Sequence, residues 1–189
     1  MQAFLTSTAL VAAAEIGDKT QLLSFVLAAR LRRPWTIIAG ILCATLFNHT
    51  LAGSVGVWLA RVIPHPLLNW MVAAAFIGFG LWTLHPDSLD NDPRILKAGV
   101  FVTTFIAFFL AEMGDKTQLA TVALAARFDA LAEVVLGTTL GMLLADVPAV
   151  LVGEKLAQRI PMRLVRYSAA ALFIALGLFT LLRPLNFSI

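Results

Sequence analysis

Six long apolar stretches alternate with short polar segments along the chain, and most of the breaks contain proline or clustered charge. Each stretch is close to the ~20 residues that a helix needs to cross a lipid bilayer. Proline removes a backbone donor and charge is costly in lipid, so both interrupt such helices. We therefore predict an all-α integral membrane protein with one domain and six transmembrane helices, at about 4–29, 35–60, 66–84, 98–126, 131–153 and 164–182.

The composition agrees with this prediction and excludes several other classes. Of 189 residues, 60% are apolar and 13% are charged, and the mean hydropathy is +0.88. Soluble domains have about 45–50% apolar residues, so a soluble enzyme, a disordered chain and a disulfide scaffold are excluded. Cys43 is the single cysteine and cannot form an intrachain disulfide. No basic cluster is interleaved with aromatic residues, so we expect the bilayer, and no nucleic acid, as a partner.

The distribution of lysine and arginine between the loops predicts the orientation. We do not expect a cleavable signal peptide, because Glu15, Asp18 and Lys19 interrupt the first apolar stretch. With both termini outside, most basic loop residues face the cytoplasm, which favours that orientation. Those on the cytoplasmic side are Arg30, Arg32, Arg33, Arg94, Lys97, Lys155, Arg159, Arg163 and Arg166, and those outside are Arg61, Arg127 and Arg183.

The chain contains an ungapped internal duplication. A shift of 97 positions aligns residues 15–21 with residues 112–118, which differ only at the second position. The register then holds without a gap, and it matches Arg30 with Arg127 and Gly40 with Gly137. We predict a first repeat at 1–85, a linker at 86–97 and a second repeat at 98–189.

Each repeat contains three predicted helices, and this odd number has a topological consequence. The second copy must enter the membrane upside down relative to the first. Inverted-topology repeats are typical of secondary transporters, whose substrate site lies near the midplane between the repeats. The alternative is a duplicated helical bundle without a transport role, although charges buried within the spans argue against it.

The duplicated motif carries the candidate chemistry. Glu15 and Asp18 fall within the first span, and Glu112 and Asp115 fall within the fourth. An ionised carboxylate at that depth costs about 2.5–3.5 kcal/mol, so four of them need partners. If the two copies face each other, they would offer a set of ligands that are all oxygen atoms, which suits Ca²⁺, Mn²⁺ or Mg²⁺. Zinc and copper are disfavoured because neither copy contains the Cys or His ligands that these metals prefer. The predicted metal ligands are Glu15, Asp18, Gln21, Glu112, Asp115 and Gln118.

Two features of the motif allow a purely structural interpretation as well. Glu15 and Lys19 are spaced i, i+4 and could form an intrahelical pair that masks charge, as could their counterparts in the second copy. This would not explain why Asp, Thr and Gln are duplicated too. Gly17 and Gly114 lie between the acids, where glycine permits either local unwinding or close helix packing.

The twofold E-x-G-D-K-T motif, once in each three-helix half, resembles the membrane family of Golgi calcium/manganese–proton antiporters and their bacterial manganese exporters. The resemblance covers essentially the whole chain. It implies export of Mn²⁺, or of Ca²⁺, in exchange for protons, with the motif acids as ligands and with Lys19, Thr20, Lys116 and Thr117 as motif partners. The centre of the chain, from His85 to Arg94, is short, which fits the compact bacterial type and hence the inner membrane.

Two further polar positions are candidates for carrying the coupled proton. His49 in the second predicted span aligns with Asp146 in the fifth under the same shift. Both side chains can gain and lose a proton, although His49 is equally consistent with a hydrogen bond between helices. Gly137 and Gly141, spaced as G-x-x-x-G, predict a surface for close helix packing.

The leading hypothesis is therefore a secondary active exporter that uses alternating access and no resident cofactor. A divalent-cation channel is a second possibility, but fixed lysines beside the site argue against a conducting pore. An intramembrane hydrolase is a third, and it would need an open position on a bound metal. The sequence predicts no oligomeric state and does not rank Mn²⁺ above Ca²⁺ by chemistry alone.

Overall fold

The computed structural model describes residues 1–85, 96–152 and 162–182, and all regular structure within these ranges is helical. The basic residues Arg94, Lys155, Arg159 and Arg183 and most of the predicted linker lie outside the described residues. Within these ranges eight helices are present, and we number them in chain order. They are α1 (Gln2–Glu15), α2 (Lys19–Leu31), α3 (Pro34–Val62), α4 (His65–Thr83), α5 (Val100–Glu112), α6 (Lys116–Phe128), α7 (Leu131–Val152) and α8 (Met162–Leu182).

Four of these helices, α3, α4, α7 and α8, are long and apolar enough to cross a membrane. They correspond to four of the six predicted spans. The prediction of continuous helices at 4–29 and 98–126 is wrong, because the chain leaves the helical path in the middle of each. The first stretch is divided into α1 and α2, and the second into α5 and α6. Tryptophan and leucine side chains remain widely exposed on the helices, as expected for a protein that faces lipid.

Close helix packing depends on the predicted small-residue surfaces. A Cβ added at Gly137 would lie 2.5 Å from the Phe4 carbonyl oxygen of α1, and one at Gly141 would lie 2.8 Å from that of Thr8. In the other half, a Cβ at Gly40 would lie 2.7 Å from the Thr104 side chain of α5. Glycine is therefore needed where α7 packs against α1 and where α3 packs against α5, which confirms the packing prediction.

The α4 and α8 helices form a crossed pair. A Cβ at Gly80 would lie 2.7 Å from the Ile174 side chain, and one at Gly177 would lie 2.8 Å from that of Ile77. The 97-residue shift that relates Gly80 to Gly177 also relates Ile77 to Ile174, so each contact is the counterpart of the other. The α4–α8 pair is therefore symmetric about the point where the two helices meet. As a unit it packs against α1 and α6, and the divided helices also pack against α3 and α7.

Candidate metal centre

The divided helices place both motifs at the centre of the molecule. Gly17 has φ +85° and Gly114 has φ +74°, a left-handed conformation that glycine adopts without steric cost. In each break the aspartate N–H bonds back to the glutamate carbonyl, at 3.0 Å for Asp18 and 3.1 Å for Asp115. The turns at Gly17 and Gly114 therefore interrupt the helices. Of the two roles considered for these glycines, local unwinding is the one that the structure shows.

The motif glutamines hold these breaks in place. Gln21 Oε1 accepts the Gly17 N–H at 2.9 Å, and Gln118 Oε1 accepts the Gly114 N–H at 2.7 Å. Their amide nitrogens reach across to neighbouring helices, where Gln21 donates to the Ala145 carbonyl at 3.1 Å and Gln118 donates to Asn48. Both amide oxygens are therefore engaged with the backbone, and a direct role of the two glutamines as metal ligands stays a prediction.

Three of the four motif acids converge. Glu15, Glu112 and Asp115 each offer a carboxylate oxygen, and these atoms all lie within 4.8 Å of one another. All three residues are at most 3% exposed. Because Ca²⁺ binds oxygen ligands at about 2.3–2.6 Å, one ion centred among these atoms could touch all three. The group is all-oxygen and draws on both copies of the motif.

The two glutamates of the group differ in their hydrogen bonds. Glu15 accepts from Thr20 Oγ1 at 2.5 Å and from Thr117 Oγ1, so one threonine of each motif holds it. Among the described residues, neither carboxylate oxygen of Glu112 has a hydrogen-bond partner. A buried carboxylate without a donor is costly, and a cation bound beside it would relieve that cost.

The motif lysines pair across the two breaks. Lys116 Nζ contacts Asp18 Oδ1, and Lys19 Nζ lies 2.9 Å from Asp115 Oδ1. The alternative interpretation, an intrahelical pair of Glu15 with Lys19, is not found among the described residues. The break turns Lys19 toward Asp115 of the other motif instead. The two bridges differ in exposure: the Lys116 side chain is 3% exposed and that of Lys19 is 26% exposed.

The two candidates for proton coupling lie close to the breaks but outside the carboxylate group. Asp146 is fully buried and accepts a hydrogen bond from Ser24 Oγ at 2.9 Å. His49 is also fully buried, and neither ring nitrogen has a hydrogen-bond partner among the described residues. Sequence reasoning missed Ser24, although it lies one helical turn beyond Gln21 and aligns with Thr121 under the 97-residue shift.

The conformation of Gly114 can be tested without steric interference, since a Cβ there would have nothing within 4 Å. We expect Gly114→Ala to lower cation binding about tenfold, because the left-handed backbone costs an alanine about 1–2 kcal/mol. Binding can be measured by isothermal titration with Mn²⁺. Gly78→Ala is the matched control, since Gly78 also has open space around it but lies within α4. Equal effects of the two variants would contradict the role of the break.

Comparison with known proteins extends these observations. A family model described as "Divalent cation/proton antiporter GDT1" matches residues 3–91 and 100–186. A Vibrio cholerae protein described as a "Putative manganese exporter" is 50% identical over 181 residues, which cover 95% of this chain and 90% of that protein. GDT1-like protein 5 of Arabidopsis thaliana is 30% identical, with 98% of each chain covered. A GDT1-like protein of Synechocystis is 30% identical, with 92% of this chain and 93% of that protein covered. No solved structure matches the chain.

Proposed function

We propose that this chain, which belongs to the GDT1 family of divalent cation/proton antiporters, exports Mn²⁺ from the cytoplasm in exchange for protons, with Ca²⁺ as the second candidate substrate. Its family is one of transporters and not of enzymes. The observation that carries the proposal is the buried group of Glu15, Glu112 and Asp115. Manganese is placed before calcium because the Vibrio cholerae relative is described as a manganese exporter.

We propose a membrane architecture of six spans in two inverted repeats, 1–85 and 98–189, joined by a linker at 86–97. In this architecture, α1 with α2 forms one span and α5 with α6 forms another, each divided at its motif. Three pairs of contacts exchanged by the 97-residue shift support it: the two lysine–aspartate bridges, the two Gly–Gln hydrogen bonds and the two glycine contacts of the α4–α8 pair. Divided spans that meet at the membrane centre are how many transporters build an ion site.

The net charge of the site fits a divalent ion. Four motif carboxylates and two motif lysines give −4 + 2 = −2, which one divalent cation neutralises. Glu15, Glu112 and Asp115 are the proposed first ligands, and Asp18 can join them if Lys116 withdraws from it. Thr20 and Thr117 orient Glu15 through their hydroxyl groups.

Exchange follows if protons and the cation compete for the same oxygens. A carboxylate that carries a proton has lost the charge that binds the metal, so the site holds either the ion or protons. Asp146 and His49 are proposed as a second station for the proton, because both are buried near the breaks and Asp146 is held by Ser24 of α2. We place the protein in a bacterial inner membrane with both termini outside, on the basis of the basic loop residues and the bacterial relatives.

The proposal is tested by reconstitution. Purified protein in proteoliposomes should take up Mn²⁺ when an outward proton gradient is imposed, and a pH-sensitive dye should report protons leaving with the same time course. Empty liposomes and the Glu15→Gln protein serve as controls. Mn²⁺ uptake without proton movement would contradict antiport and favour a channel. Absence of uptake for Mn²⁺, Ca²⁺ and Mg²⁺ alike would contradict cation transport.

Under this proposal the affinity for Mn²⁺ should decrease as the pH decreases. As the pH falls from about 8 to about 6, more of the ligand carboxylates carry protons, so the apparent affinity for Mn²⁺ should fall steadily. The midpoint of Mn²⁺-dependent thermal stabilisation at each pH measures this affinity. An affinity that stays constant over this range would show that the motif acids are not the exchanging groups.

A further inference from the structure

The α4–α8 pair covers the two divided spans unequally. It packs against α1 and α6, and among the described residues it makes no comparable contact with α2 or α5. The α1 and α6 helices belong to one end of the molecule, which we call the Arg127 end. There the amino group of Met1 lies 2.7 Å from Glu133 Oε2, and Asp129 lines a cavity with residues 60–65. The ends of α2 and α4 define the opposite end, which we call the Arg30 end.

Arg127 fastens the pair at the Arg127 end. This residue is near the end of α6, and its guanidinium donates to Thr180 Oγ1 of α8. The guanidinium carbon also lies 5.5 Å from the centre of the Phe179 ring. The Thr180 hydroxyl in turn donates to the Leu176 carbonyl at 2.7 Å. Because its proton is used in that bond, the hydroxyl oxygen is available to accept from Arg127. A charged hydrogen bond and a cation–π contact therefore join α6 to α8.

The same parts exist a second time at the Arg30 end. Under the 97-residue shift Arg30 corresponds to Arg127, Thr83 to Thr180, and the aromatic Trp82 to Phe179. In this second set Thr83 donates to the Phe79 carbonyl at 2.8 Å, just as Thr180 does within α8. The neighbouring alanines differ, however: Ala126 beside Arg127 is 2% exposed, whereas Ala29 beside Arg30 is exposed.

We propose that Arg127 and Arg30 are alternating latches that determine which end of the site is closed. This proposal rests on the transport function proposed above and specifies how that transporter changes access. In the arrangement described here, the Arg127–Thr180 contact holds the α4–α8 pair over α1 and α6 and closes the Arg127 end. In the opposite arrangement the pair packs over α2 and α5, and Arg30 donates to Thr83 Oγ1 beside the Trp82 ring. The two arginines are positioning residues, since the contacts seen among the described residues place neither of them on the carboxylate group.

The lysine bridges support this proposal independently. The Lys116–Asp18 bridge is almost fully buried and lies beside a narrow cavity that Thr83 also lines, while the Lys19–Asp115 bridge is partly exposed. Two bridges that the sequence makes equivalent are thus unequal in the structure. An exchange of the α4–α8 pair between the two halves would reverse their exposure, and with it the side from which the site is reached.

Thiol labelling tests the latches without measuring transport. In a Cys43→Ser background, Ala29→Cys and Ala126→Cys serve as separate reporters, labelled by a water-soluble maleimide in detergent-purified protein. We expect Ala29→Cys to react faster than Ala126→Cys. Adding Arg127→Ala should speed labelling of Ala126→Cys and slow that of Ala29→Cys, so that the ratio of the two rates changes roughly tenfold, because losing a charged hydrogen bond changes a two-state equilibrium by about that factor. Arg127→Lys should restore part of the original difference.

The slowing at Ala29 distinguishes a latch from local packing, because Ala29 lies at the opposite end. The matched variant Arg30→Ala should keep Ala29→Cys the faster reporter, and Thr180→Val should reproduce Arg127→Ala while Thr83→Val should not. Faster labelling at Ala126 with an unchanged rate at Ala29 would overturn the proposal, as would unchanged rates at both. These outcomes are separate from the transport proposal, which fails only if reconstituted protein moves no cation.

Discussion

Glu112→Gln should reduce cation transport by roughly a hundredfold or more while leaving the folded protein at least as stable as the parent in the absence of metal. Glutamine preserves the shape of the side chain but removes a ligand charge. Changes to groups that merely support metal ligands cost about 10–100-fold in metal affinity, so the loss of a direct ligand should reach or exceed that range. The variant should be no less stable because neither oxygen of Glu112 has a hydrogen-bond partner among the described residues. A buried carboxylate charge without a donor destabilises the metal-free protein, and glutamine removes that charge.

Glu15→Gln separates the effect on transport from the effect on stability. This variant should lose transport to a similar extent, but it should also unfold at a lower temperature, because Thr20 and Thr117 both donate to the Glu15 carboxylate. One amide oxygen cannot replace two carboxylate oxygens as acceptor. Uptake of Mn²⁺ into proteoliposomes and thermal unfolding, each with and without Mn²⁺, are the two measurements.

Glu133→Gln is the matched control for both glutamate variants. Glu133 is on the surface and contacts the amino group of Met1, and an exposed ion pair contributes little. Transport and Mn²⁺-dependent stabilisation should therefore stay within about twofold of the parent protein. Near-normal transport by Glu15→Gln or Glu112→Gln would contradict the shared carboxylate site.

The long apolar helices were predictable from sequence because burial in lipid imposes a composition that a short window can detect. The breaks within 4–29 and 98–126 were not, since apolar residues continue on both sides of Gly17 and Gly114. Glycine allows a positive φ without requiring it. Only the hydrogen bonds from Gln21 and Gln118 to the glycine N–H groups fix the turn.

The sequence identifies Glu15, Glu112 and Asp115 as candidate ligands, and the structure brings their carboxylates together, but the sequence does not predict which side chains pair with the motif acids. The duplication located Glu15 and Glu112, and the family resemblance gave them the same role. The structural alternative, in which each lysine pairs at i, i+4 within its own helix, requires that the helix continue through the motif. Because the chain turns at Gly17, Lys19 instead reaches Asp115 of the other repeat, a contact that no local pattern encodes.

Lys116→Met should severely reduce the yield of folded protein, whereas Lys19→Met should have a much smaller effect. The two lysines occupy equivalent motif positions, yet the Lys116 side chain is 3% exposed and its partner Asp18 is fully buried. Removing one member of a buried ion pair costs about 3–5 kcal/mol, because the remaining charge loses its counter-charge. The Lys19 side chain is 26% exposed, so water can compensate Asp115 and a loss of about 1 kcal/mol or less is expected. Size-exclusion profiles and thermal unfolding of cation-free protein report both effects.

The double variant Asp18→Asn with Lys116→Met tests whether charge, and not shape, is responsible. Neutralising both partners should recover most of the folded protein that Lys116→Met loses, since replacing both members of a buried pair is often nearly neutral. The recovered protein should still transport poorly, because Asp18 is then unable to approach the cation as a carboxylate. If the double variant folds no better than Lys116→Met alone, the lysine stabilises the fold through packing of its alkyl chain. If Lys19→Met is as damaging as Lys116→Met, the unequal burial of the two bridges does not describe the cation-free protein.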